Sequence, residues 1–275
     1  MAFAEKYRSD VILGLLYIES MLLTLVLANK LYFWLLFILS FITVFLYMLM
    51  FFGIELKKFL EYKKRDDILF ILFITAFMNA NIAVFGNHFI LALVFLAYFL
   101  GLRYLAGMFK KGSMNQIQKN ALNLSVLLAV FLGTNILVNL EIILQKYFGD
   151  FAVLTGGLSI FAFIYLLSFY NFAKNRITKK WTKAYSTVLA FLITEISLAA
   201  SFYLERYPSI YKVENTTSLS IVTLPLFTIV IYYLVYGLMI HKLEERFTSR
   251  VIIEYLSVSS VIFFTLFVTI RWFGS

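Results

Sequence analysis

Residues 31–54 read LYFWLLFILSFITVFLYMLMFFGI, 24 positions without one charged side chain. As an α-helix such a run rises about 36 Å, which exceeds the roughly 30 Å hydrocarbon core of a bilayer. Backbone polar groups find no water there, so a membrane segment is either a helix or a strand of a closed barrel. Barrel strands alternate apolar and polar residues. Leu35-Leu36-Phe37-Ile38-Leu39 shows no alternation. The run predicts a transmembrane helix.

The rest of the chain repeats the pattern. Of 275 residues, 62% are hydrophobic and 14% charged, and the mean hydropathy is +0.89. A soluble domain is nearer 45–50% apolar and about 25% charged. Apolar runs occur at Val11–Ala28, Leu31–Ile54, Ile68–Phe85, Phe89–Met108, Ala121–Leu140, Phe151–Ala173, Ala184–Leu204, Leu219–Ile240 and Val251–Trp272. The expected fold is an all-α integral membrane protein, a single polytopic domain with nine transmembrane helices.

Lysine and arginine set the expected orientation. The connections alternating from the N-terminus (Met1–Asp10, Glu55–Asp67, Arg103–Asn120, Lys174–Lys183, His241–Arg250) hold 19 of the 24 basic residues. Basic loops stay in the cytoplasm. The N-terminus is therefore expected inside and, after nine crossings, the C-terminus outside, in a plasma or inner membrane. The net charge of +9 then reads as an orientation signal beside anionic lipid, not as a nucleic-acid footprint. The same loops could dock a soluble or membrane protein. Trp34, Trp181 and Trp272 fall near span ends, where amphipathic rings favour the interface. Lys6 and Arg8 before an apolar run resemble a signal peptide, but Glu19 interrupts the run, and the first span is read as retained.

Asn29-Lys30 and Gly86-Asn87 are short outer connections. They suggest four helical hairpins followed by a ninth helix. The odd members carry the polar residues, and Phe73-Ile74-Thr75 echoes Phe191-Leu192-Ile193-Thr194. This hints at a duplicated two-helix unit.

Ionisable groups within a bilayer cost several kcal/mol unless paired or hydrated. Glu19 and Glu195 lie midway along spans one and seven, with no basic residue at mid-span. They suit a proton-coupling or cation-binding role, or a protonated carboxyl tying helices together. Asn79, Asn135, Asn139, Thr194 and Ser201 complete the candidate binding set. Thr187, Thr194 and Ser201 recur every seven residues. That spacing makes one helical face, suited either to close packing or to a polar path. Glu141 reads as a hydrated residue at the interface, as do His88 and His241.

Zero cysteines remove thiolate chemistry, disulfides and Cys-based metal sites. HExxH, GxSxG and the phosphate-loop pattern are absent, and the aspartates fall at span ends. No metal or cofactor is expected, and the reading leans away from an enzyme. Asn215-Thr216-Thr217 forms a sequon on the expected outer side. Three functions fit: a small-solute or ion carrier, a membrane-embedded partner or sensor subunit, or a lipid-modifying enzyme. The carrier fits the intramembrane carboxyls and polar odd helices best.

Overall fold

The computed structural model describes residues 14, 15, 18, 30–59, 65–81, 100–110, 115–175, 177–203, 209–212 and 220–269. Among them the regular structure is helical apart from one pair of antiparallel strands. The helices are α1 (Lys30–Phe52), α2 (Arg65–Ala80), α3 (residues 100–110), α4 (Gln116–Phe148), α5 (Asp150–Lys174), α6 (Lys179–Tyr203), α7 (Thr223–Leu243) and α8 (Ser249–Thr269). Strands β1 (Ser209–Lys212) and β2 (Ser220–Val222) pair antiparallel. Most of the first span, the third after residue 81 and the fourth before residue 100 lie outside the described residues.

Among the described residues, three helices are long and apolar enough to cross a membrane: the Gln116–Gln145 part of α4, α5, and Leu224–Leu243 of α7. Burial supports a membrane setting. Leu158 is 70% exposed, Val261 66% and Phe264 71%, whereas Ser168, Asn171 and Ser186 are fully buried. Large apolar side chains face outward, while these hydroxyl and amide groups face inward. Water reverses that arrangement, but lipid permits it, because hydrocarbon tails are as apolar as a leucine.

Helix ends follow local chemistry. At α4, Asn115 Oδ1 accepts from Gln118 N at 2.9 Å, and Asn115 N donates to Gln118 Oε1 at 3.1 Å. This reciprocal capping box starts the helix five residues before the apolar run. The 33 residues of α4 reach roughly 50 Å, well past one bilayer core. Gly149, at φ 53°, turns the chain into α5. Asp66 and Asp67 occupy the first turn of α2, where the helix dipole favours negative charge. At the end of α7, Arg246 N donates to His241 O at 2.9 Å and Glu245 N to Lys242 O at 3.3 Å. This is a Schellman cap, with Glu245 in the left-handed region at φ 58°.

The chain packs as two compact units, Met1–Leu122 with Val213–Thr217 and Asn123–Lys212 with Ser218–Ser275. In the first, α1 packs on α2, and Lys110 Nζ donates to Phe51 O at 2.9 Å from above the Phe51 ring. In the second, α5 packs along α6, α6 on α7, and α7 on α8. Phe227 stacks on Phe263, and Tyr255 packs on Tyr233 and edge-on to His241.

Two expectations are corrected. The eighth apolar run begins at Leu219, but Ser220–Val222 is a strand and the helix starts at Thr223. The strand pairs back onto β1 before the helix begins. Glu141 is 3% exposed and not hydrated. It fits because Gly156 has no side chain: a Cβ there would stand 2.5 Å from Glu141 Oε2.

Candidate functional site

Among the described residues, a polar cluster lies where one end each of α4, α5 and α7 meet. Tyr236, in the second half of α7, joins them. Its hydroxyl accepts from Asn175 Nδ2 at 2.8 Å and donates to Asn123 Oδ1 at 3.3 Å. Asn175 follows the last turn of α5 and Asn123 lies near the start of α4. Asn175 Nδ2 also donates to Asn171 O at 2.9 Å and lies 3.4 Å from Asn171 Oδ1.

Spacing places these groups together. Ser168, Asn171 and Asn175 are three and seven residues apart, which keeps them on one face of α5. Tyr232 and Tyr236 are four apart on α7, and their rings stack with centroids 5.5 Å apart. Phe172 fills the space between elements. Its ring lies 4.8 Å from Tyr236 and 6.2 Å from Tyr185 of α6. Trp181 stacks on Tyr185 in turn. The site is therefore amide and hydroxyl groups held in aromatic walls.

One part of it is unsatisfied. Ser168 Oγ, Asn171 Nδ2 and Tyr232 OH are buried and complete no hydrogen bond, and neither does Ser186 Oγ on α6. Ser168 and Asn171 both stand close enough to the Tyr232 hydroxyl to act as its hydrogen-bond partners. Most buried polar groups in proteins have a partner, and a group without one loses its hydration for nothing in return.

The residues singled out from sequence fall elsewhere. Glu19 lies outside the described residues. Asn79 and Ser201 are helical positions of α2 and α6, and their side chains are likewise outside. Asn135 and Asn139 are buried on α4, with Asn139 Nδ2 donating to Asn135 O at 2.7 Å. Thr194 is buried and donates to Ala190 O at 2.8 Å. Glu195 is exposed, on the outward face of α6 with Val188, Phe191, Leu192 and Ile196. His241, expected to be solvated, is half-buried with its Nδ1 enclosed. Ser168, Asn171, Asn175, Tyr232 and Tyr236 were not singled out from sequence, although their three-, four- and seven-residue spacings were visible there. They sit on the even-numbered spans, where phenylalanine and leucine crowd around them.

Among the described residues, no three His, Asp or Glu side chains gather as a metal site. No family model matches the chain, and neither a curated protein nor a solved structure does.

Proposed function

We propose that this chain is a multi-pass carrier of a small solute or ion, with its binding groups in the amide, hydroxyl and aromatic cluster of α5, α6 and α7. The observation that carries the reading is the set of buried, unpartnered atoms on Ser168, Asn171 and Tyr232. Static helix packing has no use for them, since leucine at the same positions would cost nothing in hydrogen bonds. A carrier gains from them, because a guest can supply the missing partners and then leave.

The nine-span topology belongs to the same proposal. With the N-terminus inside, the start of α4 and α6 and the end of α5 and α7 all face the cytoplasm. The Asn123–Tyr236–Asn175 hydrogen bonds, which gather three of those ends, support that arrangement. The cluster then lies toward the cytoplasmic side, close to the Lys174–Lys183 and His241–Arg250 connections.

The test uses the absence of cysteine. In a Ser168→Cys variant, a small water-soluble thiol reagent should modify the single cysteine in native membranes, at a rate within a few orders of magnitude of a surface cysteine. Ile164→Cys, one turn away on the same buried face, serves as the depth control. Complete protection of Cys at both positions would mean dry packing and end the carrier reading.

A second reading rests on Glu195. A carboxyl exposed on an apolar helix face favours a membrane-embedded subunit whose partner covers it. A partner co-purifying in mild detergent with the wild type, and lost from Glu195→Leu, would favour that reading.

A further inference from the structure

We infer that the outward face of α6 docks a transmembrane helix of another protein, one that carries a lysine or arginine at mid-membrane depth opposite Glu195. This rests on the multi-pass reading above, which takes α6 through the bilayer, and it gives the partner of Glu195 a definite chemistry.

The two faces of α6 are unlike. Leu189, Ala190, Ile193 and Ser197 are buried, and the Leu198 side chain lies against Gly157 of α5. That face is used up on α5 and α7, which both pack on α6. Val188, Phe191, Leu192, Glu195 and Ile196 follow one another at helical spacing on the other side, and all are exposed. Ala184 and Ala199, exposed at the two ends of this stripe, let a neighbouring helix approach closely.

Within the stripe, Glu195 stands apart. Among the described residues, no hydrogen bond or ion pair reaches its carboxyl. Thr187, also exposed, satisfies its own hydroxyl by donating to Lys183 O at 2.9 Å. Glu195 is the only charged residue between Lys183 and Glu205. Lys183 lies about 18 Å back along the helix, beyond the reach of either side chain. Neither water nor a lipid headgroup meets a carboxyl at that depth, and such a group is costly unless it is paired.

Charge selects the occupant. No apolar run of this chain holds a lysine or arginine near its middle, so no other span of the chain supplies the cation. A second copy inserted the same way up brings another Glu195 to the same depth, like charge against like. A free metal ion would find one carboxylate among Phe191, Leu192 and Ile196, and hard cations need several oxygen ligands. A basic side chain on a neighbouring helix meets the carboxylate directly, where low dielectric strengthens a charge-assisted hydrogen bond. The rest of that helix covers the apolar side chains around Glu195.

The experiment uses the full-length protein in liposomes and a synthetic transmembrane peptide of leucine and alanine with one lysine at its centre. The chain has no cysteine, so a fluorophore on Lys180→Cys reports binding by energy transfer from labelled peptide. The lysine peptide should bind about tenfold more tightly than the same peptide with leucine at its centre. Glu195→Gln, which keeps the shape and removes the charge, should abolish that preference. Phe191→Ala, one turn away on the same face, should weaken both peptides several-fold and keep the preference. Equal binding of the two peptides to wild type overturns the inference, and so does a lysine preference that survives Glu195→Gln. Energy transfer between differently labelled copies of the chain, lost in Glu195→Gln, also overturns it and assigns the face to self-association. Bimane on Glu195→Cys, with lipids that carry a quencher at mid-chain, tests the reading beneath. Quenching without a lysine preference removes the partner alone. Absence of quenching shows that Glu195 is not in the hydrocarbon, and the passage of α6 through the bilayer falls with the partner.

Discussion

Replacing Tyr236 by Phe removes one oxygen atom and leaves the ring. The ring's neighbours, Phe172 at 4.8 Å and Tyr232 at 5.5 Å, keep their contacts. Any loss of stability is therefore the loss of two hydrogen bonds joining α4, α5 and α7. The 2.8 Å bond from Asn175 Nδ2 is the stronger, and the 3.3 Å bond to Asn123 Oδ1 the weaker. Side-chain hydrogen bonds between membrane helices average about 0.6 kcal/mol, with a maximum near 1.7. Asn175 Nδ2 keeps Asn171 O at 2.9 Å, and half-buried Asn123 can turn to water. The expected cost is about 1–2 kcal/mol, most of it from the Asn175 side. The assay is reversible unfolding by SDS in mixed micelles, followed by circular dichroism. A double-mutant cycle of Tyr236→Phe with Asn175→Ala should give a coupling of about 0.5–1 kcal/mol, and the cycle with Asn123→Ala a smaller one. A Tyr236→Phe protein as stable as wild type, with both couplings near zero, would refute the network as a tie between helix ends.

Three further outcomes follow from the geometry. Gly237→Ala places a methyl group in the Tyr255 ring, so it should destabilise the protein by about 1–3 kcal/mol; adding Tyr255→Ala should recover part of the loss, as read by the same titration. Glu245→Gly relieves a non-glycine residue at φ 58° and should stabilise by about 0.5–1 kcal/mol, seen as a higher unfolding midpoint. Asn115→Ala breaks the capping box of α4 and should cost about 1 kcal/mol, with faster amide hydrogen exchange confined to residues 115–120.

The periodic part of this fold was legible in the sequence. Uninterrupted apolar runs dictate helices because hydrocarbon leaves the backbone no other partner, and α1, α5 and α6 lie within a few residues of those runs. Their limits were less legible. Hydropathy ends where charge begins, whereas α4 starts at the Asn115–Gln118 capping box, a signal made of two polar residues in an apparent loop. Ser220–Val222 looked like the start of a helix because Ile and Val serve strand and membrane helix alike. The candidate site was hidden for another reason. Charge draws attention first, and Glu195 stood out, yet the structure exposes it on the outer face of α6. Ser168, Asn171 and Tyr232 are uncharged and scattered over two spans. Helical spacing puts Ser168 and Asn171 on one face, but their meeting with Tyr232 depends on how α5 packs against α7, which one sequence does not encode legibly.

The most direct test of the account is sidedness across α5. Tyr147 precedes this helix and Lys180 follows it, and both are exposed. Single cysteines at these two positions can be labelled in sealed cells with a membrane-impermeant maleimide, before and after permeabilisation. The account predicts that Tyr147→Cys reacts in intact cells and that Lys180→Cys reacts after permeabilisation alone. Equal labelling of both from the same side would show that α5 does not cross the membrane, and the carrier reading would fall with it.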